Sequence, residues 1–320
     1  MLAIFLKISH YIMITYYKNN KGLTQTENRE DNCWINVVCP TKEETKFLLK
    51  ELQIPDDFYS DIEDIDERPR IEIENGWTLI ILRIPFKSND PKLPFNTAPL
   101  GLMFKDDIFV SLCFHQTDIL SDFVLYTKRK KISIENDFDL VLKLLLSSSI
   151  WFLKYLKQIN QRIKEAEDNL EKSIKNEELQ ALWQIEKCLV FFVTSLKGND
   201  VLFRRIKNLK TQKDTFDPEL LEDLEIELRQ AEETTNIYSN ILTGMMDAYA
   251  SVISNNLNVI MKRLTSISII LMIPTVIASL YGMNVPNNLQ ENPFGFWIVL
   301  LISLLISISG VFLFKKKNLF

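Results

Sequence analysis

Leu264-Thr-Ser-Ile-Ser-Ile-Ile-Leu-Met-Ile-Pro-Thr-Val-Ile-Ala-Ser-Leu-Tyr-Gly282 contains no charged residue. Neither does Phe294-Gly-Phe-Trp-Ile-Val-Leu-Leu-Ile-Ser-Leu-Leu-Ile-Ser-Ile-Ser-Gly-Val-Phe-Leu-Phe314. Each stretch is long enough to cross about 30 Å of hydrocarbon as a helix. Lys262 and Arg263 precede the first, and Lys315, Lys316 and Lys317 follow the second. The segment between them, Met283 to Pro293, carries no Lys or Arg and one acid, Glu291. Basic residues collect on the cytoplasmic side of a membrane, so both flanks are expected inside the cell and the loop outside. Phe294 and Trp297 are suited to the outer interface.

Composition agrees once it is divided along the chain. The 320 residues are 47% hydrophobic and 25% charged, which looks soluble on average. Nearly all of the charge lies before Arg263, however, so a polar region precedes an apolar one. The net charge of −5 argues against a nucleic-acid partner held through phosphate contacts. Cys33, Cys39, Cys113 and Cys188 are widely spaced, with only His10 and His115 as companions. That pattern argues against a Cys/His zinc site and fits small buried hydrophobes in a reducing compartment. The first ten residues lack the basic start and small-residue cleavage site of a signal peptide. A strand-like run begins at Met13, which leaves Met1 and Met13 both open as the start.

The expected division is an extension over 1–12, a cytoplasmic α/β domain over 13–135 and cytoplasmic helices over 136–263. A transmembrane domain over 264–320 follows, with a first span 264–283, an outer loop 284–293, a second span 294–314 and a basic tail. In the α/β region, Cys33 to Val38 reads as a strand, Thr41 as a helix cap, and Pro55-Asp56-Asp57 as a second helix start. Asn75-Gly76 between Ile71–Glu74 and Trp77–Leu82 predicts a hairpin with a type I′ turn. Residues 87–98 read as a polar loop, and 100–104 and 108–114 as two more strands. From Asp137 the chain reads as helical: 137–175, 177–209, then a helix opened by Pro218 at its first turn. Continued to Gly282, that last helix would be roughly 95 Å long, a stalk that starts in water and ends in lipid.

Reading this stalk in sevens, one register gives Asp247, Ser254, Met261, Ser268, Thr275 and Gly282. A neighbouring register gives Ser251, Asn258, Thr265, Met272 and Ser279. Every member is polar, small or a thioether, while isoleucine, leucine and valine fill the other faces. Two readings fit: close helix packing through small residues, and the wall of a water-filled lumen. Two spans cannot enclose a path, so the second needs a closed oligomer. Thr275 and Ser268 have a third option, bonding their own helix backbone.

The first span ends in Tyr281-Gly282-Met283-Asn284. Taken with the long helix before it, the short loop after it and the terminal lysines, this closely resembles the CorA family of divalent-cation channels. Arg68-Pro69-Arg70-Ile71-Glu72 before the Asn75-Gly76 hairpin looks like the family's cytoplasmic domain. The resemblance covers residues 13–320. It implies a CorA-like homopentameric funnel in the lipid bilayer, with the first membrane helix of each subunit lining the pore. Counted from the motif, the family's pore positions fall on Thr275, Met272, Leu264, Met261, Asn258 and Asp247. Five of the six lie on the stripe, and Ser268 lies on it too. Leu264 stands where the heptad reading gives Thr265, and drift of a straight helix against a heptad accommodates either.

The same resemblance implies roles. Asn284 would offer a ring of side-chain carbonyls to a partly hydrated Mg²⁺, which sheds water reluctantly. Gly282 would permit a tight turn, although Asn284 could instead simply cap the helix. Met272, Leu264 and Met261 would form a hydrophobic constriction, and Asp247 an inner carboxylate ring. Intracellular Mg²⁺ would be sensed at acidic sites between subunits, with Asp223 at one and a partner from the loop at Asp90. As the plainer alternative, Asp223 is a surface acid. After the motif, many family members continue with an aromatic residue and Met-Pro-Glu-Leu, whereas this chain has Val285-Pro-Asn-Asn-Leu-Gln-Glu-Asn-Pro293. The expected cargo is Mg²⁺, with Co²⁺ or Ni²⁺ as further ions. A Zn²⁺ transporter of the same superfamily and a non-conducting membrane scaffold or sensor are the alternatives. The sequence offers no nucleophile–base pair or phosphate loop, so an enzyme is not expected.

Overall fold

The computed structural model describes residues 14–172, 176–209, 216–283 and 292–316, without the side chains of 171, 172 and 176. It divides into two compact units, Met1–Gly244 and Met245–Phe320.

The first unit is built on a seven-stranded sheet. Its strands are β1 (Ile14–Asn19), β2 (Leu23–Thr26), β3 (Cys33–Val38), β4 (Arg70–Glu74), β5 (Trp77–Lys87), β6 (Phe95–Lys105) and β7 (Ile108–Cys113). They lie in the order β2-β1-β3-β7-β6-β5-β4. All neighbours are antiparallel except β3 and β7, whose parallel pairing requires the long excursion between them. The helices are α1 (Lys42–Lys46), α2 (Asp56–Glu63), α3 (Asp118–Lys130), α4 (Asp137–Lys172), α5 (Asn176–Lys207) and α6 (Pro218–Tyr281). A π-helical turn, Phe47–Glu51, continues α1.

Local chemistry sets the boundaries. Thr41 and Glu44 form a reciprocal capping box at α1, so two of the helix's orphan donors are satisfied. Asn75 and Gly76 both take positive φ, 51° and 78°, as the type I′ turn between β4 and β5 demands. Asp217 accepts from the Glu219 N–H at 3.0 Å and caps α6, with Pro218 in the first turn.

The sheet is covered on both faces. On one, Leu48, Leu52, Phe58 and Ile62 pack with Ile35, Val37, Leu79, Ile81, Val110 and Leu112. The approach of α2 is close enough that a Cβ on Gly101 would stand 2.1 Å from Ile62 Cδ1. On the other face, Trp34 meets Phe123 of α3 and Phe104 meets Phe138 of α4.

Two expectations need correction. Residues 87–98 are not a loop throughout: β5 runs to Lys87 and β6 begins at Phe95, leaving 88–94 as the connection. The prolines and polar residues hid a strand whose start is buried by α4 and α5; Phe95, Thr97 and Ala98 are all inaccessible. Residues 118–130 form α3, for which no helix was expected. Its signals are the Thr117 cap, a basic last turn, and apolar Ile119, Leu120, Phe123 and Val124 at helical spacing.

A buried polar network ties α4 and α5 to the sheet. β6 flanks Arg83 on one side, but on the other β4 has ended and the backbone of Arg83 has no strand beside it. Asn199 of α5 takes that place: its Oδ1 accepts from the Arg83 N–H at 2.8 Å, and its Nδ2 donates to the Arg83 carbonyl at 2.7 Å. Ser148 of α4 donates to the same carbonyl at 3.2 Å. The Arg83 guanidinium donates to the carbonyls of Ile65, Glu67 and Thr97 and to Thr97 Oγ1, which also accepts from Ser195. Burial pulls the Arg83 pKa below its ordinary value.

The second unit contains the rest of α6 and α7 (Gly295–Lys316). Both are long and apolar enough to cross a membrane, and their apolar stretches are almost wholly uncovered by protein. For a soluble core helix the opposite would hold.

Candidate ion pathway

Helix α6 is continuous for 64 residues and carries every expected pore residue described. One face of its apolar part is occupied by α7. Ser266 is 5% exposed there, and Ile270 and Ile273 approach Gly310 of α7, where an added Cβ would lie 3.9 and 3.7 Å from their side chains. The sequence reading did not single out Ser266 or the small-residue contact at Gly310; a hydroxyl off the heptad stripe was the available signal.

The expected stripe lies elsewhere on the helix. Asp247, Asn258, Met261, Leu264, Met272 and Thr275 are all exposed in the single chain, Leu264 by 57% and Met272 by 62%. Three hydroxyls on this side donate to the carbonyl one turn back: Thr265 to Met261 at 2.8 Å, Ser268 to Leu264 at 2.9 Å, and Thr275 to Leu271 at 3.2 Å. Backbone bonding is therefore realised. It uses up each proton and leaves the oxygen lone pairs available.

Gly282 closes α6 by donating its N–H to the Ala278 carbonyl at 2.9 Å. It does not enter the left-handed region, so no positive φ is needed here. Tyr281 is half-buried and Met283 exposed. Asn284 and the loop acid Glu291 lie outside the described residues.

The two expected regulatory acids are both exposed but separate. Asp223 borders a groove of about 480 Å³ between α3, α4 and the start of α6, together with Asp122, Lys154 and Asp217. Two of the groove's three cations are engaged: Lys154 pairs with Asp122 at 2.8 Å and lies over Trp151, and Lys143 pairs with Asp139 at 2.5 Å. Asp90 sits in the β5–β6 connection, where its carboxylate accepts from the Lys92 N–H at 2.9 Å. The groove at Asp223 does not reach Asp90, and among the described residues no group of three or more acidic, Cys or His ligands forms a metal cluster.

The second unit is thus a long helix with one polar face left open and an apolar helix against another face. The model of the CorA-like Mg²⁺ transporter protein family matches residues 29–316, which is nearly the whole described chain. The chain belongs to the CorA family. This CorA chain is 29% identical over 296 residues to the cobalt/magnesium transport protein CorA of Methanocaldococcus jannaschii, covering 89% of itself and 90% of that protein. The complete structure of the CorA magnesium transporter from the same organism superposes with a TM-score of 0.79, at 24% identity, covering 95% of this chain and 98% of that one. The ZntB cytoplasmic domain from Vibrio parahaemolyticus superposes with a TM-score of 0.57 at 13% identity, covering 77% of this chain and 98% of that domain, a likeness of fold alone. CorA-family proteins are transporters and not enzymes.

Proposed function

We infer that five copies of this chain surround a pore that moves Mg²⁺, and Co²⁺ with it, across the cytoplasmic membrane. The carrying observation is that α7 covers the Ser266–Ile273 side of α6 and leaves the polar stripe open. Hydroxyls aligned on one side of an otherwise lipid-compatible span call for water or another helix, and a ring of copies supplies both. Exposed Ile226, Ile237 and Ile241 on the water-soluble part of α6 favour the same self-association.

In this reading Asn284 forms the outer selectivity ring, with Tyr281, Gly282 and Met283 shaping its support. Thr275, Ser268 and Asn258 present oxygens to ion-bound water, which offers hydrogens outward. Met272, Leu264 and Met261 form the constriction that dewets and shuts, and Asp247 concentrates cations at the inner mouth. Asp223 and Asp90 of adjacent copies hold regulatory Mg²⁺, favouring the closed arrangement while the ion is bound. The termini lie in the cytoplasm.

The test is ion-resolved flux into liposomes containing the pure protein, offered Mg²⁺, Co²⁺, Ni²⁺ and Zn²⁺ in turn. Mg²⁺ and Co²⁺ should enter, and Asn284→Ala should abolish the preference for Mg²⁺. Zn²⁺ flux coupled to a pH gradient would replace the cargo, and no flux of any ion would leave a membrane scaffold.

A further inference from the structure

At the end of the second unit that carries its basic residues, α6 and α7 border a cavity of about 520 Å³. Ile269 and Phe314 supply apolar walls, and Asn255, Asn258 and Lys262 supply polar ones. Arg263 follows Lys262 in the chain, and Lys315 and Lys316 follow Phe314; all four cations are exposed. Among the described residues none of them enters an ion pair. After Asp247 the described residues carry no acid. Among the described residues, four positive charges thus gather at one membrane boundary without an ion pair.

We propose that this cavity seats the headgroup of an acidic phospholipid, with its phosphate against Lys262 and its chains along Ile269 and Phe314. The assignment rests on the membrane reading above. Phosphate complements the unpaired cations, and the apolar walls run on into lipid-facing helix, which suits an acyl chain and not a free anion. Asn258, Met261 and Thr265 border both this cavity and the proposed pore, so a bound headgroup lowers the positive potential beside a departing cation.

The full chain, reconstituted in equimolar phosphatidylcholine and phosphatidylglycerol and then gently extracted, is weighed with its bound lipids by native mass spectrometry. Wild type should retain phosphatidylglycerol preferentially. Lys262→Gln should lower that preference about fivefold, and Lys262→Gln with Lys316→Gln further, while Lys154→Gln in the first unit leaves it unchanged. Equal retention of the two lipids by wild type, or an unaltered preference in the double variant, overturns the proposal. Displacement by soluble glycerol phosphate overturns it in favour of a free-anion site. The readout involves no flux, so a chain that conducts nothing can still pass and a conducting one can still fail.

Discussion

Replacing Asn199 by leucine keeps the branched outline of the side chain and removes both bonds to the backbone of Arg83. The N–H loses an acceptor at 2.8 Å in a site with no solvent access. Leaving such a donor unmet costs about 1–3 kcal/mol. The carbonyl loses the amide at 2.7 Å but keeps Ser148 at 3.2 Å, so that side costs about 1 kcal/mol. The sum is about 2–4 kcal/mol, which predicts a fall of about 5–10 °C in the thermal midpoint of the detergent-solubilised chain. Tryptophan fluorescence during heating reads it. A charge variant separates hydrogen bonding from packing. Protonated Asn199→Asp can reproduce both bonds, its hydroxyl donating to the carbonyl, but the carboxylate cannot. The folded state then holds the proton more tightly than the unfolded chain. The variant should match wild type in acid and lose stability as pH rises above about 4, the unfolded carboxyl value. A leucine variant as stable as wild type, with an aspartate variant indifferent to pH, would refute the view that this amide completes the sheet edge.

Two further outcomes follow from the same structure. Burial first, and the charge of Asp107 second, raise the pKa of Asp137 at the start of α4. A carboxyl raised in the folded state weakens folding as pH climbs from its unfolded value of about 3.9 through its folded one, so Asp137→Asn should flatten that part of the stability–pH curve. Gly244 lies inside α6 at the division between the two units, with nothing within 4 Å of an added Cβ. Gly244→Ala should stabilise the helix by about 1 kcal/mol and slow amide exchange over 240–248, with no steric penalty.

Much of the architecture was legible because its signals are local. Uncharged runs flanked by lysine mark α7 and the end of α6, Asn75-Gly76 marks a turn that needs two positive φ angles, and Pro218 marks a helix start. The start of β6 was not legible, because Phe95-Asn-Thr-Ala-Pro has poor strand chemistry on its own. It is extended because ten residues of β5 pair with β6 and because Arg83 and Ser195 satisfy Thr97 in the interior. Nor could the pattern tell that Asn199 stands in for a missing strand, since one amide in a helix has no local signature. At the candidate pathway, periodicity found the stripe and left packing and pore equal. The position of α7 separates the face that packs within the chain from the face that does not.

That separation bears on ion chemistry through the direction of the hydroxyl protons. A hydrated cation turns water hydrogens outward, so the groups that recognise it must accept. Thr275 and Thr265 have each committed their proton to a carbonyl of α6, at 3.2 and 2.8 Å. What remains for the lumen of the proposed pore is lone pairs, the same character as the oxygen of an asparagine side chain. An anion would need donors there, and from Leu264 to Met283 the stripe offers no cation to supply them. Backbone bonding and pore lining, which look like rivals when the sequence is read, are therefore compatible. The helix backbone orients each hydroxyl as an acceptor before any ion arrives, so that orientation need not be imposed during passage. Rejection of anions in the proposed pore then requires no ring of fixed negative charge within the membrane, where such charge is most expensive to hold, and the carboxylate of Asp247 can lie outside it.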